Sequence, residues 1–135
     1  MIFADTGFFL SLVEPRDALH GRARAWALAV AEPLLLTDYV LLEIVNSLST
    51  FADRHKVPGL VTHVRSSVGY EVVPESTNLL DAGLHLHFAR ADKEWSLTDC
   101  VSFVVMQQRG ITRALAHDHH FEQAGFEALL RRDPP

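Results

Sequence analysis

The first thirteen residues read MIFADTGFFLSLV, and this stretch contains the pattern that decides the fold. Residues 1–4 are a short apolar run, which is most simply a buried strand that carries Asp5 at its carboxyl end. Residues 6–13 then predict a short helix, which the Glu14-Pro15 step ends. A strand that leads at once into a helix is the repeating unit of proteins built on a parallel sheet.

The same alternation continues along the whole chain. Further strands are predicted at residues 34–36, 70–73, 112–116 and 126–130. Further helices are predicted at residues 16–31, 39–54, 58–67, 77–90, 97–109 and 119–124. This order indicates a three-layer α/β/α sandwich with a central, mainly parallel sheet. A length of 135 residues suits one domain, and only residues 131–135 have the character of a tail.

The bulk composition is typical of an intracellular globular protein. Hydrophobic residues make up 48% and charged residues 21%, which excludes a disordered chain. Cys100 is the single cysteine, so the chain cannot form an internal disulfide. Asp5 interrupts the apolar start too early for a signal peptide, and no run approaches the roughly 20 apolar residues of a membrane span. We therefore expect a cytoplasmic protein without membrane contact.

The chain has an acidic balance, with 17 acids against 12 lysines and arginines and a net charge of −5. A nucleic acid would be repelled by such a protein through general electrostatics. Composition alone thus argues mildly against a nucleic-acid substrate, unless divalent cations and a local basic patch offset the repulsion.

Two acids follow predicted strands. Asp5 comes directly after the first strand, and Asp118 lies two residues after the strand at 112–116. In open α/β sheets, ligands bind outside the carboxyl ends of the strands. Both carboxylates are therefore expected at the same edge of the sheet.

Two more acids lie on helices that are otherwise largely apolar. Glu43 lies just off an apolar stripe with helical spacing, formed by Val40, Leu41, Ile44, Val45, Leu48 and Phe51. Asp99 lies in the first turn of a helix that is apolar almost all round. At that position, capping the helix is the alternative to a role in a functional site. A carboxylate beside a buried face needs a cation or a proton. A purely carboxylate cluster suits Mg²⁺ or Mn²⁺.

Three histidines surround Asp118 and raise the alternative of a zinc site. His117, His119 and His120 do not have the spacing of a closed zinc site. The spacing instead favours three exposed loop residues. As a second option, one of these histidines contacts a substrate phosphate.

The four acids and their neighbours resemble the motifs of the PIN-domain family, in particular its small stand-alone toxins of the VapC type. The matching segments are FADT at 3–6, LTDYVLLE at 36–43, SLTDCVSF at 96–103 and DHHF at 118–121 with the later Gly125-Phe126. They occur in the family's order and at similar separations, and they cover essentially the whole chain.

This resemblance implies an endoribonuclease that uses Mg²⁺ or Mn²⁺ and leaves a 5′-phosphate and a 3′-hydroxyl. Its acidic quartet corresponds to Asp5, Glu43, Asp99 and Asp118, all proposed as metal-binding and catalytic residues. RNA is the implied substrate, an antitoxin protein the implied partner and a homodimer the implied assembly. Residues 25–30 are the expected dimer surface.

Two departures from the family pattern leave a second function open. Ala116 stands where many relatives have a threonine that helps order the site, and Gly7 replaces a small polar residue. Either change weakens metal binding, which would suit a catalytically weakened scaffold with the same fold. The complete quartet argues against that alternative. A haloacid-dehalogenase-type phosphatase, which needs an Asp two residues after Asp5, is excluded by Gly7.

Overall fold

The computed structural model describes residues 1–50 and 52–135, and its centre is a parallel sheet. The strands are β1 (Ile2–Ala4), β2 (Leu34–Thr37), β3 (Tyr70–Val73), β4 (Arg113–Leu115) and β5 (Glu127–Ala128). They lie in the order β3-β2-β1-β4-β5, and every neighbouring pair is parallel. The prediction of an α/β sandwich with a mainly parallel sheet is confirmed.

Helices fill the connections between these strands. They are α1 (Thr6–Val13), α2 (His20–Ala29), α3 (Asp38–Ser47), α4 (Val57–Ser66), α5 (Thr77–Ala89), α6 (Leu97–Arg109) and α7 (His119–Gln123). Thr37 begins α3 by accepting a hydrogen bond from the Val40 N–H at 3.2 Å. Gly110, in the left-handed conformation with φ of 65°, ends α6 as predicted.

Three predicted element bounds were wrong. Helix α2 begins at His20 instead of residue 16, because the Asp17 carboxylate accepts from the Leu19 N–H at 2.8 Å and holds the preceding residues in a turn. Helix α3 ends at Ser47 instead of near residue 54. Beyond it, the Ser49 hydroxyl donates to the Val45 carbonyl at 2.6 Å and competes with helical bonding.

The segment after α3 and the last strand also differ from the prediction. The predicted extension of α3 includes a separate 3₁₀ turn at Arg54–Lys56, and Phe51 of the predicted apolar stripe lies outside the described residues. The last strand has only two residues, since the chain turns into a 3₁₀ helix at Leu129–Arg131. That turn still contacts the sheet, because the Leu130 N–H donates to the Ala116 carbonyl at 3.1 Å.

The close packing of α5 against α6 fixes the position of α6. Gly83 on α5 faces Val101 on α6, and a Cβ added at Gly83 would overlap the Val101 side chain. An aromatic cluster holds the other side of α6, where Phe103 meets Phe121 of α7 at a centroid distance of 5.0 Å and Trp95 at 5.1 Å. Helix α6 is therefore clamped from two sides.

The carboxyl-terminal segment contacts α2. The Trp26 indole N–H donates to the Arg132 carbonyl at 2.8 Å, and the Arg22 guanidinium pairs with Asp133 at 2.9 Å. The Trp26 side chain is buried in this contact. Within the described parts of the chain, none of the helices combines the length and the apolar character that crossing a membrane requires.

Candidate active site

The four predicted acids line one pocket of about 560 Å³. Asp5 follows β1, Glu43 lies in the middle of α3, Asp99 lies in the first turn of α6, and Asp118 lies between β4 and α7. Residues far apart in the sequence are thus brought together by the sheet and the helices packed on it.

The register of two neighbouring strands places Asp5 close to Asp118. Strands β1 and β4 pair through Ala4 and Leu115, and the Asp5 N–H donates to the Leu115 carbonyl at 3.2 Å. Asp118 leaves the same strand three residues after Leu115. Both acids therefore lie at the carboxyl edge of the sheet, as the strand-end argument predicts.

Asp99 both caps its helix and lines the pocket. Its N–H donates to the Ser96 hydroxyl at 3.0 Å, and its carboxylate accepts from the Ser96 N–H at 3.1 Å. This reciprocal pair is a capping box. The side chain is only 13% exposed, and the same carboxylate oxygen also meets His120. The capping role and a role in the site are therefore compatible.

His120 is the main residue of the site that sequence reasoning missed. Its Nδ1 lies 3.0 Å from the Asp99 carboxylate and 3.2 Å from the Asp118 carboxylate. The hydrogen bond is to Asp99, and an ionised carboxylate only accepts, so Nδ1 carries the hydrogen in this contact, while Asp118 lies nearby. The expectation of an exposed loop residue was wrong here, because the side chain is only 16% exposed. His117 is an exposed loop residue as expected, and His119 is exposed but begins helix α7.

A sequence signal for His120 does exist. The residue lies two positions after a strand-end acid, in the first turn of a helix whose next residue, Phe121, is apolar and buried. A short helix anchored by Phe121 has little freedom to turn the preceding side chain away from the sheet edge.

Further polar residues of the pocket were also missed. Asp17 and Glu94 line it and raise its number of carboxylates to six, while no lysine or arginine lines it among the described residues. Thr6 lines it too, and its hydroxyl is buried without a hydrogen-bond partner in the described structure. The pocket thus combines concentrated negative charge with the Thr6 hydroxyl, a donor that has no acceptor in the described structure.

Burial and mutual repulsion change the ionisation of two acids. Burial, with the nearby charges of Asp99, Glu43 and Asp118, raises the pKa of Asp5 to about 7 against the opposing effect of the Thr6 N–H. Burial also raises the pKa of Asp99, although the Ser96 N–H and His120 oppose it. No lysine or arginine in the described part of the chain lines the pocket to balance these charges, so the donor set fits an oxygen-ligated divalent ion.

The two departures from the family pattern have different structural settings. Ala116 is fully buried at the end of β4, where it offers no hydroxyl to the site. Gly7 borders the pocket, and a Cβ added there would meet nothing within 4 Å. The chain therefore lacks a polar group at the buried position 116, and it has open space at the exposed position 7.

Comparison with known proteins agrees with this architecture. The family model of the PIN domain matches residues 2–127. The chain is 32% identical over 127 residues to proteins named 23S rRNA-specific endonuclease VapC20 in two Mycobacterium tuberculosis strains, CDC 1551 / Oshkosh and H37Rv, covering 93% of this chain and 95% of each relative.

Solved structures show the same likeness in three dimensions. The crystal structure of Mycobacterium tuberculosis VapC20, titled a sarcin-ricin loop cleaving toxin, matches with a TM-score of 0.85 at 28% identity, covering 93% of this chain and 96% of that one. FitAcB from Neisseria gonorrhoeae shares the fold, with a TM-score of 0.69 at 18% identity over 95% and 96% of the two chains. With its family model matched over nearly the full length and a relative of this similarity, the chain belongs to the PIN-domain family.

Proposed function

We propose that this chain is a divalent-metal-dependent endoribonuclease and the toxin of a toxin–antitoxin pair. The observation that carries the proposal is the pocket at the carboxyl edge of the sheet, where four carboxylates from four separate elements meet and no lysine or arginine of the described residues lines the wall. Membership of the PIN-domain family and the similarity to a 23S rRNA-specific endonuclease support the same chemistry.

Asp5, Asp99 and Asp118 are the proposed ligands of Mg²⁺ or Mn²⁺, and Glu43 either joins them or orients the attacking water. The raised pKa values of Asp5 and Asp99 support this assignment, because a bound cation stabilises the ionised carboxylates that burial disfavours. When bound, the ion would polarise the scissile phosphate and lower the pKa of a water molecule.

The chain's own side chains supply the positioning. His120 donates from Nδ1 to the Asp99 carboxylate and lies 3.2 Å from the Asp118 carboxylate, and the Ser96 N–H donates a second hydrogen bond to Asp99. Cleavage would leave a 5′-phosphate and a 3′-hydroxyl.

RNA is the proposed substrate and the cytoplasm the proposed location, and 23S ribosomal RNA is the first RNA to test. The reason is the 32% identity to endonucleases specific for that RNA. A cognate antitoxin is proposed because the structural relative at 28% identity is described as a toxin.

One observation favours the alternative of a weakened PIN-fold scaffold. Buried Ala116 provides no hydroxyl at the site, and the Thr6 hydroxyl has no partner in the described structure. A scaffold would keep the fold and its partners but would not cut RNA.

The deciding experiment is cleavage of ribosomal RNA by purified protein freed of any partner, with Mg²⁺, with Mn²⁺ and with EDTA. Asp99→Asn removes one proposed ligand, and Asp81→Asn is the matched control, since Asp81 is an exposed acid on α5 away from the pocket. We expect metal-dependent cutting that falls at least about 100-fold in Asp99→Asn and persists in Asp81→Asn. Folded wild-type protein that cuts with neither metal would support the scaffold alternative.

A homodimer is also proposed, through α3 and α4 in preference to the predicted surface at residues 25–30. A groove of about 490 Å³ lies between these helices with a largely apolar lining that includes Leu41, Val45 and Val61, and Leu42 at its border is 59% exposed. Light scattering should show a dimer that Leu42→Asp breaks. The matched control is Leu28→Asp on α2, where Leu28 is 84% exposed. A dimer that is broken only by Leu28→Asp would show that residues 25–30 form the interface, as predicted from the sequence.

A further inference from the structure

The short segment Asp118, His119 and His120 brings three potential metal ligands together at the mouth of the pocket. One carboxylate oxygen and one nitrogen from each ring all lie within 4.8 Å of one another. His119 Nδ1 lies 3.4 Å from Asp118 Oδ1, and His120 Nδ1 lies 3.2 Å from Asp118 Oδ2. Asp99 Oδ2 lies 3.0 Å from His120 Nδ1 and adds a fourth oxygen.

Three of these separations are close to those between neighbouring ligands of a zinc ion. Zinc bonds to imidazole nitrogen and carboxylate oxygen measure about 2.0–2.2 Å, so two ligand atoms of a tetrahedron lie about 3.3–3.5 Å apart. The spacings of 3.0 to 3.4 Å lie at or just below that value. Two of them use different oxygens of Asp118, so side-chain rotation must bring the ligand atoms, which lie within 4.8 Å of one another, onto one ion.

The donor chemistry separates this group from the carboxylate quartet. Imidazole nitrogen is a ligand for zinc, copper, nickel and related ions, whereas carboxylate and water oxygens suit Mg²⁺ and Mn²⁺. The site is also accessible, since the side chains of His119 and Asp118 are 63% and 41% exposed. An ion can therefore enter without opening the core.

We propose that Asp118, His119 and His120 form a transition-metal site for an ion such as Zn²⁺, with Asp99 as the adjoining fourth ligand. Two of these residues, Asp118 and Asp99, also belong to the quartet. An ion held by the histidines takes up carboxylates that the nuclease needs for Mg²⁺. Zn²⁺ therefore acts as an inhibitor that competes for shared ligands. The binding stands independently of the proposed nuclease, while the inhibition rests on it.

Calorimetric titration of the whole chain with Zn²⁺ in buffer without Mg²⁺ tests the binding, because Mg²⁺ would compete for Asp118 and Asp99. We expect one Zn²⁺ per chain, with affinity at least about tenfold weaker in His119→Ala because one ligand is lost. His117→Ala is the matched control, since His117 is an exposed neighbour outside the group, and it should bind like the wild type. Because His119 is largely exposed, its variant keeps the fold, which circular dichroism verifies.

The titration overturns the site if wild-type protein binds no Zn²⁺ or if His119→Ala binds it as tightly as the wild type does. A cleavage assay in Mg²⁺ tests the inhibition, and His119→Ala should need at least about tenfold more Zn²⁺ for half inhibition. Equal inhibition of both proteins overturns the shared-ligand mechanism. Absence of any cleavage in Mg²⁺ overturns the nuclease assignment and the inhibition that rests on it, while the titration still decides whether the zinc site exists.

Discussion

Replacing Asp5 by Asn should stabilise the metal-free protein at neutral pH. The pKa of Asp5 rises from an ordinary 3.8 to about 7, chiefly through burial and the charge of Asp99. Each pKa unit corresponds to about 1.4 kcal/mol, so the ionised carboxylate lowers the free energy of unfolding by on the order of 4 kcal/mol above pH 7. Burying the polar amide of Asn offsets part of this gain, and we expect a net stabilisation of about 2–4 kcal/mol.

The sign of the pH dependence follows from the direction of this pKa shift. The folded chain binds the Asp5 proton more tightly than the unfolded chain, so the free energy of unfolding falls as the pH rises from about 4 to about 7. Below about pH 4 both states are protonated and the carboxyl group has no such cost. The advantage of Asp5→Asn should therefore be small at pH 4 and largest above pH 7.

Urea denaturation in EDTA across this pH range measures the effect, with Asp81→Asn as a control for removing one acid from an exposed site. Excess Mg²⁺ should reverse the order, because binding stabilises only the chain with a complete set of ligands. Asp5→Asn that is no more stable than the wild type at pH 8 in EDTA would refute the reasoning, as would a difference that does not vary with pH.

Three further predictions concern the residues around the site. His120→Ala should weaken Mg²⁺ binding by about 10- to 100-fold in calorimetric titration, and His120→Asn, which retains an N–H donor, should recover part of that affinity. Gly83→Ala should lower the free energy of unfolding by about 1–3 kcal/mol because the new Cβ overlaps Val101, and an unchanged urea midpoint would contradict the close α5–α6 packing. Thr6→Val should leave the free energy of unfolding unchanged or raise it by about 1 kcal/mol, since it removes a buried hydroxyl that has no partner in the described structure. A lower urea midpoint for this variant would show that the hydroxyl does stabilise the fold.

The positions of Asp5 and Asp118 could be predicted without knowing the order of the strands. In a parallel sheet, every strand ends at the same edge, so an acid that follows any strand lies on that edge. The sequence needed only to show where the two strands stop. The same reasoning reaches Asp99 less directly, because a helix cap and a site residue look alike in sequence, and the structure shows one carboxylate in contact with both Ser96 and His120.

The residues that were missed depend on tertiary packing. The direction of the His120 ring depends on how α7 packs against α6, where Phe121 contacts Phe103. Asp17 reaches the pocket from a turn that the sequence assigned to a helix, because good helix propensity over residues 16–31 concealed a local hydrogen bond to the Leu19 N–H. Propensity describes the average behaviour of a segment, and one side-chain hydrogen bond is enough to override it.

The acidic balance of the chain takes on a different meaning in the folded protein. Six of its 17 acids line one pocket, so much of the repulsion that composition predicts is concentrated where the proposed metal would bind. Without a cation, that pocket repels a phosphate and holds the Asp5 carboxyl at a raised pKa. With a divalent ion, the same carboxylates anchor the positive charge to which a phosphate is drawn. A negative net charge is therefore compatible with an RNA substrate, because the metal that the proposed chemistry needs also removes the electrostatic barrier to substrate binding.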